Sequence, residues 1–309
     1  MRKRILASLM ALCLCLVSCV PALAEMPRPI IPLEESAIPE PYEGQHHYLL
    51  TCVDNWQGNA KNLGNTDGSI MVTLDVAARR LLFTTFTREM LIQRPDGATG
   101  RLTYIAKTYG PEALCKVLST HFGVKMDKYI LFSMDNVQQI IDAMGGVNIT
   151  VTDAEADYLN RYRISRDSTT PSMDKGGTYL FGGHAAVIYM RIRKVGGGGD
   201  SGRTRRMRTV LSTLAANYAE VTMDSAMKLL STVSEHTVMT NMSMADMLEA
   251  MGYAMELRGV EAEGIQMPPE DAMEPITYAG MSTRQVDFDA ARKQLDEFLN
   301  CPNFDVVDE

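Results

Sequence analysis

The chain has 309 residues, of which 46% are hydrophobic and 22% are charged, and its formal net charge is −8. This composition is typical of a globular protein with material for one large domain or two small ones. An acidic balance of this size argues against a nucleic-acid-binding protein, because binding to a phosphate backbone needs a basic surface.

The first 24 residues have the features of an export signal. A basic stretch, Arg2-Lys3-Arg4, precedes an apolar stretch over Ile5–Ser18, and Ala22-Leu23-Ala24 has the small-x-small pattern of a cleavage site. Removing residues 1–24 takes away three positive charges and no acid, so the remaining chain carries −11. The prediction is an extracytoplasmic protein.

Two other interpretations of this N-terminal segment stay open. Leu16-Val17-Ser18-Cys19 resembles the lipobox of bacterial lipoproteins, in which Cys19 would carry the lipid and become the first residue. Alternatively, Ile5–Ala24 is just long enough to remain uncleaved as a membrane anchor, despite Pro21. All three interpretations place the rest of the chain outside the cytoplasm, secreted or attached to a membrane surface.

Residues 25–45 contain five prolines among acidic residues, which predicts a Pro-rich tether. Apolar runs bounded by turn residues then predict strands, and apolar residues at helical spacing predict helices. The predicted strands are His47–Val53, Ser69–Leu74, Arg80–Phe86, Asp127–Phe132, Val147–Val151, Gly264–Met267 and Thr283–Asp287. The predicted helices are Glu112–Phe122, Asp135–Met144, Gly183–Tyr189, Arg203–Tyr218, Met223–Ser234, Ser243–Leu257 and Phe288–Leu299.

Strands alternate with helices along the whole chain, which predicts a mixed α/β class. No linker follows residue 45, so we predict a single domain over residues 46–300 and a C-terminal tail over residues 301–309. The segments from about residue 90 to Tyr109 and from Thr152 to Gly177 show no clear period and are treated as irregular.

Cysteine and histidine spacing argues against several kinds of site. The chain contains no Cys-x-x-Cys pair, no His-Glu-x-x-His pattern, no Gly-x-Ser-x-Gly and no P-loop. Beyond the N-terminal segment, Cys52, Cys115 and Cys301 lie far apart, so at most one disulfide can form. We favour buried free thiols over a disulfide.

Acidic and basic residues follow the first three predicted strands. Asp54 comes directly after the first strand, and Asp67 stands at the end of the polar loop Asn55–Asn65. The second and third strands are predicted to form a hairpin, which ends in Thr87-Arg88-Glu89. Taken alone, the two aspartates are equally consistent with ordinary acidic residues at loop ends.

A basic segment over residues 191–208 is the strongest functional signal. It contains seven bases (Arg191, Arg193, Lys194, Arg203, Arg205, Arg206 and Arg208) and one acid, Asp200, a net charge of +6 in eighteen residues. Self-repulsion makes such a density costly unless an anion is held there. Arginine binds phosphate oxygens bidentately, which favours a phosphate ligand over a solvated basic loop.

Helical phase divides the arginines of the basic segment. Gly196–Gly199 allow close approach of the backbone to a ligand, and Asp200-Ser201-Gly202 are predicted to cap a helix that starts near Arg203. Arg203 and Arg206 then share the apolar face with Met207, Val210 and Leu214, whereas Arg205 and Arg208 point to water. An anion is predicted at the inward pair, near the helix start.

The order of these motifs resembles the LytR-CpsA-Psr family of bacterial envelope phosphotransferases. The residues that carry the resemblance are Asp54, Asp67, Thr87-Arg88-Glu89, Gly145-Gly146-Val147, Tyr189-Met190-Arg191-Ile192-Arg193 and Asp200-Ser201-Gly202-Arg203-Thr204-Arg205-Arg206. The spacing from Asp67 to Arg88 matches the family pattern without a gap, and the resemblance covers about residues 46–300. No single motif is specific, but the complete order is.

Five positions depart from the family pattern. Asn65 stands where the family often has arginine, and Thr87-Arg88-Glu89 replaces Pro-Arg-Asp. Thr103 replaces a usual asparagine, and Met207 replaces a glutamine. The charged set is kept while several neighbouring partners differ, which leaves open a different substrate or a weakened enzyme.

The resemblance implies a single α/β domain with a central mixed sheet flanked by helices and a hydrophobic polyprenyl pocket. It implies transfer of a glycan phosphate from an undecaprenyl-pyrophosphate carrier to a peptidoglycan sugar hydroxyl, in teichoic acid or capsule assembly. The implied catalytic residues are Asp54, Asp67, Arg88 and Arg191. The implied pyrophosphate ligands are Arg88, Arg191, Arg193, Asp200, Arg203 and Arg206, and Asp54 and Asp67 would hold Mg²⁺.

The residue chemistry agrees with what the resemblance implies. Phosphoryl transfer needs neutralisation of charge more than covalent chemistry, which arginines and a carboxylate-bound Mg²⁺ can supply. A competing hypothesis is a non-catalytic envelope module that binds polyprenyl-linked or anionic glycans, favoured by Asn65 and Glu89. A nucleic-acid-binding role is disfavoured by the export signal and the negative charge.

Overall fold

The computed structural model describes residues 27–161 and 172–300. Its strands are β1 (Gln45–Val53), β2 (Thr66–Asp75), β3 (Arg80–Phe86), β4 (Leu91–Gln93), β5 (Thr99–Arg101), β6 (Lys128–Phe132), β7 (Val147–Val151), β8 (Gly177–Phe181), β9 (Met239–Thr240), β10 (Ala262–Met267), β11 (Met273–Tyr278) and β12 (Met281–Val286). Its α-helices are α1 (Ile105–Tyr109), α2 (Pro111–Phe122), α3 (Met134–Ala143), α4 (Asp153–Arg161), α5 (Gly183–Met190), α6 (Gly199–Asn217), α7 (Met223–Glu235), α8 (Met244–Glu256) and α9 (Phe288–Asn300). The predicted signal or anchor over residues 1–24 and the tail over residues 301–309, with Cys301, lie outside the described ranges.

The central sheet is mixed, with strand order β10-β3-β2-β1-β6-β9. β1, β2 and β3 form an antiparallel meander, while β6 runs parallel to β1 and β10 runs parallel to β3. The predicted hairpin of the second and third strands is therefore confirmed, as is the single α/β domain with a mixed central sheet. Val147–Val151 is a strand as predicted, but it pairs with β8 in a separate two-stranded sheet.

The two faces of the central sheet meet different surroundings. Along β1, Leu49 and Val53 point into the main apolar core, which also contains residues of α2 and α9. Tyr48 and Leu50 point to the opposite face, where α3, α6, α7 and α8 surround an apolar cavity. Because strand side chains alternate between faces, one strand contributes to the core and to the cavity wall at once.

Local sequence explains where several helices begin and end. α2 starts at Pro111, whose fixed φ suits the first helical turn, and it ends at Gly123 with φ of 67°. Ser133 caps α3 and Ser243 caps α8, each by accepting a hydrogen bond from a backbone N–H in the first turn. These signals are readable from sequence, which is why most predicted boundaries are within a few residues of the structure.

Three predicted features of the chain are wrong. The segment from about residue 90 to Tyr109 is not irregular, because it contains β4, β5 and α1. The segment after Thr152 is not irregular, because α4 begins at Asp153. The basic-segment helix begins at Gly199 rather than near Arg203, so Asp200 lies in the first helical turn instead of in a cap. The glycines before it make this start possible, since Gly196, Gly197 and Gly198 all have φ between 73° and 78°.

The predicted tether is also corrected for residues 27–44, which pack against the domain. Ile30 is buried in the main core, and the backbone N–H of Leu33 donates to the carbonyl of Thr120 at 2.9 Å. The backbone N–H of Arg28 donates to the side chain of Gln285 at 2.8 Å. Proline density alone could not reveal these contacts, because both acceptors lie far along the chain.

Buried histidines should make this fold sensitive to acid. Burial lowers the pKa of His121, which accepts from the backbone N–H of Gln93, from 6.5 to about 4. A folded pKa below the unfolded value means that stability is complete above pH 6.5 and is lost as pH falls towards 4. The unfolded state then gains roughly 3 kcal/mol from protonating this one residue.

The measurement is urea unfolding at pH 7 and pH 5. His121→Gln keeps a donor and an acceptor but cannot titrate, so it should show a smaller loss of stability between the two pH values than the wild type. Ser234→Gln, at the half-buried C-terminal end of α7, removes no titratable group; it is the control and should retain the wild-type pH dependence. Equal pH dependence in the wild type and His121→Gln would contradict the prediction.

Within the part of the chain that the structure describes, no helix combines the length and apolar character needed to cross a membrane.

Candidate active site

Asp67 is the centre of the candidate site. It is the second residue of β2 and lies beside the end of β1, because Val53 pairs with Thr66. Its side chain is buried, with 8% of its surface exposed. The side chain of Thr103 donates to the carbonyl of Thr66 at 2.7 Å, and the backbone N–H of Thr103 donates to the carbonyl of Arg88. Thr103 therefore holds Thr66, which precedes Asp67, and Arg88 in place.

Three arginines from separate parts of the chain converge on Asp67. Arg88 donates through Nη1 to Oδ1 at 2.7 Å, Arg191 donates through Nε to Oδ2 at 3.1 Å, and Arg203 donates through Nη1 to Oδ1. Burial alone would raise the pKa of the Asp67 carboxyl, but the charges of Arg203, Arg88 and Arg191 outweigh burial and lower it. Asp67 is therefore a permanent negative charge that orients three guanidinium groups.

The arginines differ in depth. The exposed fraction of the side chain is 2% for Arg203, 17% for Arg88, 38% for Arg191 and 46% for Arg193. Arg203 therefore forms the floor of the site, and Arg191 and Arg193 lie at its mouth. A ligand from solvent would meet the mouth arginines first.

Asp200 and Arg203 carry hydrogen-bonding groups that the protein leaves unused. Both carboxylate oxygens of Asp200, Nε and Nη2 of Arg203 and Nε of Arg88 are buried and make no hydrogen bond within the described residues. Nη2 of Arg203 lies 3.0 Å from Asp200 Oδ1, but without hydrogen-bond alignment. Buried polar groups are normally hydrogen-bonded, so these donors can bind an added anion without losing an existing bond.

Sequence reasoning missed the role of Glu89 and Arg101. Oε1 of Glu89 accepts from Arg193 at 2.8 Å and lies 3.4 Å from a guanidinium nitrogen of Arg101. Glu89 thus holds Arg193 beside the Asp67 group, and only 8% of its surface is exposed. The sequence does show an acid directly after Arg88, but nothing in the sequence indicates that this acid is the partner of Arg193.

The charges of this network do not balance. Five arginines (Arg88, Arg101, Arg191, Arg193 and Arg203) face three carboxylates (Asp67, Glu89 and Asp200) within salt-bridge distance of one another. Two positive charges are left over. A partly buried surplus of this kind is suited to an anion, because an anion with two negative charges would neutralise it.

Arg206 lies outside this network, which corrects its predicted role as a pyrophosphate ligand. It is buried as the helical phase predicts, but its Nε donates to Glu155 at 2.8 Å. Its Nη1 and Nη2 donate to the backbone carbonyls of Ile192 and Val195. With all three nitrogens bound to protein acceptors, Arg206 holds the loop over residues 192–198, here called the glycine-rich loop, onto α4 rather than binding a ligand.

The two arginines predicted to face water also differ. Arg205 is exposed, as predicted. Arg208 is half-buried, and its Nη1 donates to Thr85 Oγ1 at 2.6 Å, so it packs on the edge of β3 and β10 instead. The error arises because α6 lies across the sheet, so a residue on the flank of the helix reaches β3.

Asp54 lies beside the network without touching its arginines. Its Oδ1 accepts from the backbone N–H of Asn65 at 2.8 Å, and its Oδ2 accepts from the Asn65 side chain at 3.1 Å. Asn65, which stands where the family often has arginine, therefore orients the carboxylate of Asp54. The predicted pairing of Asp54 and Asp67 at adjacent ends of one sheet agrees with the strand register.

The donor set at this point is compatible with Mg²⁺. Among residues 27–161 and 172–300, no group of three or more His, Cys, Asp or Glu is arranged to hold a metal ion. Mg²⁺ nevertheless binds through one or two carboxylates with waters and phosphate oxygens completing its shell. A carboxylate has about four acceptor positions, and Asp54 uses two of them and Asp67 three, so both retain capacity.

An apolar cavity of about 490 Å³ adjoins the charged network. Its lining includes Cys52 and Gly68, which flank the position of Asp67, and Met207 from α6. A Cβ atom on Gly68 would come within 2.7 Å of Met207 Sδ, so glycine is needed for this close approach. Met207, in place of the family's glutamine, makes the wall apolar up to the edge of the charges.

Cys52 is a free thiol at the boundary between the cavity and the charges. Burial, reinforced by the negative charge of Asp67, raises the pKa of this thiol. Burial and the charge of Asp67 therefore both disfavour a thiolate at this position. Cys115 is also free, in agreement with the predicted thiols.

The fold and the site together define a class of protein. It is an α/β domain that places a cluster of arginines at the edge of an apolar cavity. A family model described as the LytR_cpsA_psr family matches residues 32–296. The chain therefore belongs to the LytR-CpsA-Psr family.

Relatives in sequence agree with this assignment. Biofilm regulatory protein A of Streptococcus mutans is 27% identical over 224 residues, which cover 69% of this chain and 54% of that protein. TagV of Bacillus subtilis, named a polyisoprenyl-teichoic acid–peptidoglycan teichoic acid transferase, is 26% identical over 167 residues, 51% of this chain and 41% of that protein. The chain thus spans about half, or less, of these relatives' lengths.

Solved structures share the fold. Protein gbs0355 of Streptococcus agalactiae has a TM-score of 0.67 at 22% identity, over 82% of this chain and 88% of that chain. TagT bound to LI-WTA has a TM-score of 0.66 at 16% identity, over 88% of this chain and 98% of that chain.

Proposed function

We propose that this chain is an extracytoplasmic phosphotransferase. It moves a glycopolymer phosphate from an undecaprenyl-pyrophosphate carrier to a sugar hydroxyl of peptidoglycan. The observation that carries the proposal is the arginine network at the edge of the apolar cavity. A polyprenyl pyrophosphate joins a long apolar tail to a charged head, and this arrangement suits both parts. TagV is named for a polyisoprenyl-linked teichoic acid and for peptidoglycan, and this name supports the same two substrate classes.

In the proposed reaction, the acceptor hydroxyl oxygen attacks the phosphorus atom that carries the glycan and releases its proton to water. The bond from that phosphorus to the bridging oxygen breaks, and polyprenyl phosphate leaves. Arg191 and Arg193 donate N–H groups to phosphate oxygens at the mouth, and Arg88 and Arg203 donate from the floor. Asp67 keeps these donors oriented before the substrate arrives, so little reorganisation is needed as charge develops. No protein nucleophile is required, because phosphoryl transfer depends on positioning and electrostatics.

Mg²⁺ held by Asp54 and Asp67 would, when bound, neutralise charge on the pyrophosphate oxygens. Among the described residues, the carboxylate of Asp54 forms hydrogen bonds only to Asn65, so it can be removed without breaking any contact to the arginines. We expect Asp54→Ala to weaken Mg²⁺ binding and transfer while the protein stays folded. Calorimetric titration of Mg²⁺ in the presence of a polyprenyl-pyrophosphate analogue measures this, and wild-type binding in the variant would contradict the assignment.

The role of the cavity can be tested by filling it. Ala250 on α8 lines the cavity, whereas Ala245 on the same helix is exposed and does not. Ala250→Trp should occupy part of the space for the tail and weaken binding of undecaprenyl pyrophosphate at least tenfold. Ala245→Trp is the matched control and should bind as the wild type does. Equal affinity in both variants would place the tail elsewhere.

Turnover is tested by incubating the protein with a lipid-linked glycan donor, peptidoglycan fragments and Mg²⁺. Mass spectrometry should detect a phosphodiester between the glycan and a peptidoglycan sugar, together with released polyprenyl phosphate. Tight binding of the donor without this product would instead support the non-catalytic glycan-binding module. Failure to bind the donor at all would exclude both functions.

A further inference from the structure

The only tryptophan of the chain is left outside the apolar core. Trp56 belongs to none of the buried apolar clusters of the described residues and does not line the large cavity. It is half-buried on the loop that joins β1 to β2. Tryptophan is on average one of the most buried residue types by area, so its partial exposure on a polar loop calls for a function.

Trp56 is held in this position by polar contacts rather than by packing. Its backbone carbonyl accepts from the N–H of Asp135, at the start of α3, at 3.2 Å. The preceding residue, Asn55, donates from its side chain to the carbonyl of Asn62 at 3.2 Å and accepts from the N–H of Gln57 at 3.2 Å. The loop therefore has a defined shape that presents the indole instead of burying it.

A second ring accompanies the indole. The imidazole of His184, from the first turn of α5, lies with its centroid 5.8 Å from the indole centroid at an interplanar angle of 31°. Neither the indole N–H nor the ring nitrogens of His184 make a hydrogen bond to any residue in ranges 27–161 and 172–300, and neither side chain is fully buried. The pair thus combines aromatic faces with available polar edges.

This aromatic pair is connected to the charged network through the chain. Trp56 is two residues beyond Asp54. His184 is the second residue of α5, and this helix ends one residue before Arg191. The pair and the arginines are therefore connected by the same loop and the same helix. A sugar attached to a phosphate that the arginines bind would extend along this surface. So would a sugar whose hydroxyl attacks that phosphate.

We infer that Trp56 and His184 form a subsite for a pyranose ring of the glycan. The C–H face of a pyranose is slightly positive and packs against the negative face of an aromatic ring, while its hydroxyl groups bind polar ring edges. The ring can belong to the peptidoglycan acceptor or to the glycan of the donor, since both are pyranoses. The inference rests on the proposed function, because that function supplies the two glycans.

Fluorescence of the intact protein tests the subsite directly, since emission from the one tryptophan reports on Trp56 alone. The probes are a peptidoglycan N-acetylhexosamine disaccharide without lipid, a glycan-bearing undecaprenyl pyrophosphate, and undecaprenyl pyrophosphate without sugar. A saturable change with the disaccharide assigns the subsite to the acceptor. A change with the glycan-bearing lipid but with neither other probe assigns it to the donor. No change with any sugar, or a change with the sugar-free lipid only, overturns the inference.

Variants of the two aromatic residues test the subsite and the transfer reaction separately. His184→Leu keeps the fluorophore and should weaken the fluorescence-detected sugar affinity about tenfold. Trp56→Leu should raise the KM for the glycan that the titration identifies about tenfold with a smaller change in kcat, and Trp56→Tyr should restore much of it. An unchanged KM in Trp56→Leu would overturn the subsite while leaving the transferase intact. Sugar binding without any transfer would overturn the transferase and leave the subsite intact.

Discussion

Replacing Asp67 by asparagine is expected to reduce transfer more than a hundredfold and to destabilise the protein by about 3 kcal/mol. The change keeps the shape of the side chain and removes only the charge that three arginines share. Removing one partner of a buried ion pair costs about 3–5 kcal/mol, because the remaining charge is left uncompensated. We take the lower end, since Asp200 stays beside Arg203.

Two measurements separate the parts of this prediction. Chemical unfolding gives the loss of stability, which should shrink as pH falls below about 4, where an ordinary aspartate is itself protonated. Because the pKa of Asp67 is lowered in the folded state, its contribution is present above that range and is lost as the pH falls through the folded value. Turnover measured with saturating donor gives the catalytic loss.

Asp54→Asn is the matched control for Asp67→Asn. Asp54 directly follows β1, beside the start of β2, but its carboxylate is bound by Asn65 rather than by an arginine. Its replacement should change stability by about 1 kcal/mol or less, as for a single hydrogen-bonded pair. Equal destabilisation by the two asparagine variants would mean that the charge of Asp67 does not organise the arginines.

Much of the site was accessible from sequence because it depends on local rules. Strand patterns predicted that Asp54 and Asp67 flank neighbouring strands, and the pairing of Val53 with Thr66 places them there. Helical phase predicted that Arg203 points inward, and it is 2% exposed. Such inferences need only the alternation of a strand and the period of a helix.

What sequence could not supply is the identity of distant partners. Arg203 and Arg206 lie on the same face of α6 and are equally buried, yet Arg203 binds Asp67 and Arg206 binds Glu155. Glu155 lies 51 residues before Arg206, on a helix that showed no clear period. No pattern in the basic segment distinguishes a ligand-binding arginine from one that is bound by the protein.

The cavity was equally hidden from direct inspection of the sequence. Tyr48 and Leu50 alternate with Leu49 and Val53 as in any strand with two apolar faces. Whether such a face meets a packed helix or an open space depends on how closely α7 and α8 approach. These helices bury little, with Ala226 and Met247 as their only buried residues. An apolar pocket was expected from the family resemblance alone.

The second large effect is expected at the pair formed by Arg206 and Glu155, and it concerns stability rather than binding. Both side chains are buried, with 3% and 8% of their surfaces exposed. Arg206→Ala leaves the Glu155 carboxylate without its charged partner and frees the carbonyls of Ile192 and Val195, which should cost about 3–5 kcal/mol. Thermal and urea unfolding measure this loss.

Arg205→Ala is the matched control, because Arg205 precedes Arg206 on α6 but is exposed, and it should change stability by about 0.5 kcal/mol or less. The double variant Glu155→Leu with Arg206→Met should be more stable than Arg206→Ala, since no buried charge is then left unpaired.

The decisive contrast is with Arg203→Ala, which removes a donor from the floor of the proposed anion site. At a temperature where all variants are folded, Arg203→Ala should weaken binding of undecaprenyl pyrophosphate at least tenfold, whereas Arg206→Ala should bind within about threefold of the wild type. If folded Arg206→Ala lost as much affinity as Arg203→Ala, Arg206 would have to contact the ligand, and its role as a support of the glycine-rich loop would be wrong.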